Sequence, residues 1–141
     1  MTVAQRWILA LDLGTTATKA LAVDFDGRVL AQHGVANTLH VDGPRAELDP
    51  VEVLQGVRDA VSRIVAAVAC DPVATSVAVA MHSLIAIDDR GRPLTRCWTW
   101  ADQRARAQAA ALGRDGRATD LQTRTGTPVR ALSPLCKLLW M

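Results

Sequence analysis

Near the start of the chain an acid, a glycine, two threonines and a lysine fall close together: Asp12, Gly14, Thr15, Thr16 and Lys19. They lie in Ile8-Leu9-Ala10-Leu11-Asp12-Leu13-Gly14-Thr15-Thr16-Ala17-Thr18-Lys19-Ala20-Leu21-Ala22-Val23-Asp24, where two apolar runs flank a tight Gly-Thr-Thr turn. Such a turn can present backbone N–H groups, two hydroxyls and an ammonium to phosphate oxygens. Asp12, at the end of the first run, can hold a Mg²⁺ ion directly or through water. The segment reads as a nucleotide phosphate site, and a plain hairpin turn between two strands is the competing reading. Neither G-x-x-x-x-G-K-[ST] nor G-x-G-x-x-G occurs, so it is neither a Walker loop nor a dinucleotide fingerprint.

A second group lies further on. Met81-His82-Ser83 follows an apolar run, and strand ends in α/β sheets are where ligands bind. His82 can hydrogen-bond a sugar hydroxyl or a carboxylate, or be a histidine satisfied locally under a loop. Trp98-Thr99-Trp100-Ala101-Asp102-Gln103-Arg104 combines flat rings, a carboxylate, an amide and a forked cation. That set suits a polyol: Trp100 covers an apolar face while Asp102 and Arg104 bond hydroxyls. Arg104 could instead pair with a substrate carboxylate. The plainer alternative is a helix N-terminus with Asp102 in its first turn and Arg104 in solvent. Arg124, Thr125 and Thr127 read as a solvated loop that could instead reach ligand, and Lys137-Leu138-Leu139-Trp140 as the start of a core helix.

These groups need elements to hold them. Residues 7–13, 17–24 and 28–35 read as three strands of an antiparallel meander, with Asp26-Gly27 as a hairpin turn. Residues 37–48 read as loop, broken by Gly43-Pro44. Asp49-Pro50-Val51-Glu52 is a helix start, and Leu54, Val57, Val61, Ile64, Val65 and Val68 make an apolar stripe ending near Cys70. Thr75 to Met81 reads as a strand, continued by Leu84 to Asp88. Ala101 to Leu112, ending at Gly113, and Thr119 to Thr125 read as helices, and Ser133-Pro134 opens another. The order strand-strand-strand-helix-strand predicts a mixed α/β domain whose fourth strand returns parallel to a neighbour. The last helix stops mid-pattern, which predicts a truncated protein with an apolar face left uncovered.

The bulk composition narrows the classes. The 141 residues are one domain's worth, and half are apolar. Sixteen Lys and Arg against fourteen Asp and Glu make no electrostatic case for nucleic acid or an anionic membrane. Lys19 and Lys137 are the only lysines, which reads as compositional drift toward arginine. Cys70, Cys97 and Cys136 are far apart and odd in number, so neither a zinc site nor a disulfide framework is expected, and a reduced cytoplasmic protein is. No signal peptide or spanning segment is legible.

Taken together, the motifs resemble the N-terminal part of the FGGY carbohydrate kinases. Asp12-Leu13-Gly14-Thr15-Thr16 is similar to that family's first phosphate motif. Met81-His82-Ser83-Leu84, Trp100-Ala101-Asp102-Gln103-Arg104, Arg124-Thr125-Gly126-Thr127-Pro128 and Leu135-Cys136-Lys137-Leu138-Leu139-Trp140 follow in the family's order. Met-His-Ser followed by Trp-Ala-Asp-x-Arg most resembles the gluconokinase branch. Xylulokinases usually show Met-His-Gly, and glycerol kinases carry Arg-Glu where this chain has His82-Ser83.

The resemblance implies an actin-like (ribonuclease H-like) α/β fold, with residues 1–141 as part of the N-terminal domain. It implies ATP and Mg²⁺ at Asp12, Gly14, Thr15, Thr16 and Lys19, with Asp12 as the metal residue. It implies a sugar or sugar-acid cleft lined by His82, Trp100, Asp102 and Arg104. The family's catalytic base and adenine pocket are expected beyond Met141, so none of these residues is assigned as the base. A homodimer is open for a full-length protein. Three readings compete with a gluconate kinase fragment: a xylulokinase-like fragment, a non-enzymatic sugar-binding remnant, and an activator-type ATPase acting on a protein.

Overall fold

In the computed structural model, residues 6–141 are described, and their contacts gather into two compact units. One runs up to Thr38 and resumes over Asp49–Ala80; the other comprises Leu39–Leu48 and Met81–Met141.

The first unit carries the expected meander. Strands β1 (Trp7–Leu13), β2 (Ala17–Asp24) and β3 (Val29–Ala36) pair antiparallel in sequence order. Asp24 shapes the second turn, its Oδ1 accepting from the N–H groups of Asp26 and Arg28, and Gly27 takes the positive φ of +81° that the turn needs. Helix α1 (Pro50–Val68) then crosses over to β6 (Ala74–Val79), which pairs parallel to β1 and completes the sheet order β3-β2-β1-β6. Asp49 caps α1 as its sequence signature requires, accepting from the N–H groups of Val51 and Glu52.

Small residues set how closely α1 approaches the sheet. Ala20 and Ala22 on β2 and Ala60 on α1 are fully buried, and Trp7, Leu9 and Ile64 fill the space around them. At Gly56 an added Cβ would stand 3.4 Å from Val35 Cγ1, in ordinary contact. The buried stripe therefore runs Gly56, Ala60, Ile64, with Val61, Val65 and Val68 on its flank. Leu54, predicted to belong to it, is instead half exposed.

The second unit departs further from expectation. Residues 37–48 are not all loop: β4 (His40–Asp42) and β5 (Arg45–Leu48) form a hairpin, with Gly43 at φ +54° in its turn. The period-two signal was only Ala46 and Leu48, both buried, on a strand too short to stand out. β5 pairs in turn with β7 (Cys97–Trp98). Leu84 to Asp88 is not a continuous strand but makes two isolated bridges, Leu84 to Trp98 and Ile87 to Pro93. Helix α2 spans Arg106–Arg114 rather than starting at Ala101, and Gly113 lies inside it. Helix α3 spans Arg117–Thr125, so Arg124 and Thr125 are helical, and Gly126 caps its C-terminus at φ +72°. Helix α4 spans Pro134–Trp140, with Cys136 buried against Ala105 and Leu112 and with Leu138 and Leu139 more than half exposed. No helix among the described residues is long and apolar enough to cross a membrane.

The stripe predicts a steep contrast along one helix. Ile64→Ala should lower unfolding stability by about 2–5 kcal/mol, because the cavity lies between helix and sheet. Leu54→Ala should change it by less than about 1 kcal/mol. Urea midpoints of the two variants test this, and equal losses would contradict the assigned face.

Candidate functional site

The turn after β1 is built tightly. Gly14 N–H donates to the carbonyl of Ala17 at 3.0 Å, and a Cβ on Gly14 would itself stand 3.0 Å from that oxygen. A side chain at this position would therefore push the turn open. Asn37 ties the turn from the side: its Nδ2 donates to Gly14 O at 2.8 Å, and its N–H donates to Thr16 O at 2.9 Å. Thr18, fully buried, donates to Asn37 Oδ1 and locks the amide's orientation. Sequence reading did not find Asn37, because it lies after β3 and meets the turn only once the meander has closed.

Asp12 and Lys19 are direct cross-strand partners, so both project from the same face of the sheet beside the turn, and both are exposed. Thr15 is partly buried and Thr16 is exposed. Among the described residues no group of three or more His, Cys, Asp or Glu side chains clusters for a metal.

The second unit holds a cleft of about 390 Å³. Its walls are largely apolar, from Met81, Trp100, Pro128 and Leu132, and its polar groups come from His82, Thr127 and Arg130. Trp100 is half exposed on this lining. His82 stands at φ +64°, a left-handed conformation uncommon for a residue with a Cβ.

Asp102 and Arg104 do not line this cleft. Asp102 is fully buried, and its carboxylate accepts from Ala46 N–H at 3.1 Å and from Arg104 Nη2 at 2.7 Å and Nε at 3.1 Å. Arg104 Nη2 also reaches Glu47 Oε1 at 2.5 Å, and the guanidinium lies 4.1 Å above the Trp98 ring and 5.2 Å from Trp140. Its side chain is only 9 % exposed. The predicted direct contacts from Asp102 and Arg104 to a sugar are thus replaced by a supporting part: both hold β5, β7 and the 99–104 loop together behind Trp100. The helix-start reading of Asp102 falls as well, since α2 begins at Arg106.

Lys137 is the largest surprise. It is 1 % exposed, and its Nζ donates to the carbonyls of His82 at 2.6 Å, Thr99 at 2.8 Å and Trp98 at 3.2 Å. Three acceptors match the three N–H bonds of an ammonium. Two of these carbonyls belong to or adjoin the cleft residues His82 and Trp100, so α4 ties the His82 turn to the segment that carries Trp100 through one atom. The available signal was a lysine among apolar neighbours in a chain that otherwise uses arginine.

Burial shapes the charges here. It opposes the Asp102 carboxylate, but the hydrogen bonds from Arg104 and Ala46 and the charge of Arg104 prevail and hold its pKa below the ordinary value. It opposes the Arg104 guanidinium too, and Asp102 and Glu47 reverse the effect and raise its pKa. Burial pushes the Lys137 ammonium below the usual lysine range, with Asp102 acting against it.

The sign of one pH effect follows. Asp102 holds its proton less tightly in the fold than in the unfolded chain, so its stabilisation is full above the ordinary aspartate pKa of about 3.9 and is lost as pH falls through the folded value. Urea midpoints should therefore drop below about pH 4, and Asp102→Asn should flatten that limb while costing about 3 kcal/mol at pH 7 by leaving Arg104 under-compensated. Superimposable pH profiles for the two proteins would contradict the ion-pair assignment.

Residues 7–141 match the N-terminal domain of the FGGY family of carbohydrate kinases. The chain is 35% identical over 137 residues to a gluconokinase of Bacillus subtilis (strain 168), covering 96% of this chain and 27% of that protein. In structure it is similar to gluconate kinase from Lactobacillus acidophilus, at TM-score 0.91 and 30% identity over 96% of this chain and 28% of that one. A ligand-bound xylulose kinase from Lactobacillus acidophilus gives TM-score 0.90, also at 30% identity, with the same coverage. The chain thus spans little more than a quarter of the length of these relatives. The mixed sheet with its leading meander and parallel return strand is the actin-like N-terminal domain of such kinases, and this chain belongs to the FGGY family of carbohydrate kinases.

Proposed function

We propose that residues 1–141 are the N-terminal portion of an ATP-dependent carbohydrate kinase whose acceptor is a sugar acid, with gluconate the favoured substrate. The observation that carries this is the cleft with Trp100 and His82 on its walls, in a chain 35% identical to a gluconokinase. Its volume of about 390 Å³ suits a small polyol.

Each unit has its part in this reading. Asp12, Gly14, Thr15, Thr16 and Lys19 are the residues that would hold MgATP: the turn's N–H groups and hydroxyls and the Lys19 ammonium would take phosphate oxygens, and the Asp12 carboxylate would take the metal. MgATP, when bound, supplies the phosphoryl group and a metal that neutralises its charge. His82 hydrogen-bonds a sugar hydroxyl and Trp100 covers an apolar face of the carbon chain. Asp102, Arg104 and Lys137 hold those two residues in place. The acceptor hydroxyl must lose its proton on phosphorylation, and none of the described residues that line the cleft is a carboxylate. We assign that base to residues outside 1–141. The reading carries a cytoplasmic location with it, where ATP is supplied. A xylulokinase-like reading keeps the same site with an uncharged sugar, and the similarity to the xylulose kinase favours it equally on fold.

Two measurements test the assignment. The 141-residue chain alone should release no ADP above background with gluconate or xylulose. Sugar-dependent release abolished by Asp12→Ala would show that the base lies within it. In a whole kinase carrying this chain, Asp12→Ala should lower kcat by about 10²-fold or more, as expected when charge stabilisation at a transferring group is lost. Trp100→Ala should instead raise KM for the sugar and leave KM for ATP unchanged. The reverse pattern would exchange the roles given to the two residues.

A further inference from the structure

We propose that Arg130 is the residue that reads the carboxylate of a sugar acid, a role that rests on the sugar-cleft reading above. Arg104, the obvious candidate from its place beside Trp100 and Asp102, has Nε and Nη2 on two carboxylates and is buried against Trp98. Lys137 is buried, with its ammonium on three carbonyls. Arg130 is the cation that lines the cleft, and its side chain is exposed there.

Its backbone is held firmly. Arg130 N–H donates to Ser133 Oγ at 3.0 Å, and Arg130 O accepts from Ser133 N–H at 2.9 Å. Ser133 is itself buried and donates to Pro128 O at 3.5 Å, so the 128–133 segment forms a closed turn. A long cationic side chain on a fixed backbone is a suitable reader of an anion, because only the side chain must be ordered on binding.

The charge balance of the cleft points the same way. Among the described residues its lining includes Arg130 and His82 and no carboxylate, so no anion of the lining pairs with the guanidinium there. A planar carboxylate fits its fork through two parallel hydrogen bonds. With Trp100 covering the carbon chain and His82 on a hydroxyl, Arg130 on the same lining distinguishes a polyol ending in a carboxylate from one ending in an alcohol. The three groups lie in one unit, so the discrimination is a property of that unit alone.

The test is a binding titration of the 141-residue chain, followed by NMR at the Trp100 indole N–H, with gluconate and with glucitol as its uncharged counterpart. The wild-type chain should bind gluconate more tightly than glucitol, and added salt should shrink the difference. Arg130→Gln should weaken gluconate about tenfold and leave glucitol within about twofold, as expected when a charge-assisted pair is lost. Arg130→Lys should restore part of the preference. Arg114→Gln, which removes the same charge from the end of α2, should change neither ligand. If both ligands shift Trp100 and Arg130→Gln affects them equally or not at all, the cleft reading stands and the assignment of Arg130 is overturned. If neither ligand shifts Trp100 at saturating concentration, the cleft reading falls and the proposal with it.

Discussion

A buried ammonium needs a partner for every N–H, and that requirement at Lys137 organises the second unit. Water cannot reach the Nζ, so the carbonyls of His82, Trp98 and Thr99 must converge on it. Each carbonyl comes from a segment with little regular structure of its own: the turn at His82, the end of the two-residue β7, and the loop after it. Their convergence holds a left-handed His82 and an exposed Trp100 on the cleft wall. Around this point the buried charges balance, with Lys137 and Arg104 against Asp102 and Glu47. Such networks contribute little net stability compared with apolar packing, but each member fixes the geometry of the others.

The first unit solves a different problem with different means. Its turn must hold Asp12, the two threonines and Lys19 in a shape that no side-chain charge enforces. Backbone hydrogen bonds supply the rigidity: Gly14 to Ala17 within the turn, and Asn37 to Gly14 and Thr16 from outside. Asn37 can do this because β3 returns alongside β2 and delivers its last residues beside the β1–β2 turn. The alanines of β2 and α1 let the helix lie close on the sheet, which is why the core of this unit is built from small residues around Trp7.

The arginines illustrate how tertiary structure divides chemically identical side chains. Arg104 stands in the motif most suggestive of sugar binding, yet two carboxylates and an indole ring claim its guanidinium. Arg130 stands in no motif that its neighbours advertise, yet the turn closed by Ser133 delivers it to the cleft. Charge, reach and donor geometry are the same for both. Burial and local partners separate them, and those depend on segments more than forty residues apart in the case of Arg104 and Glu47.

The sequence by itself determined what local chemistry determines. The alternation of β1 to β3, the Asp26-Gly27 turn, the Asp49-Pro50 cap and the parallel return of β6 are written in short windows, because each depends on neighbours within a turn or on the handedness of a crossover. The order of motifs from Asp12 to Trp140 was enough to recognise the family. The β4–β5 hairpin, the late start of α2, the roles of Asn37 and Lys137 and the withdrawal of Asp102 and Arg104 were settled only by tertiary structure. A four-residue strand such as β5 is stabilised by its pairing with β7, about fifty residues away, and leaves almost no periodic trace. Whether a charged side chain faces ligand or supports the wall behind it depends on which distant backbone groups it meets. That is a property of the folded arrangement, since a carboxylate, a guanidinium or an ammonium has the same local signature in either place.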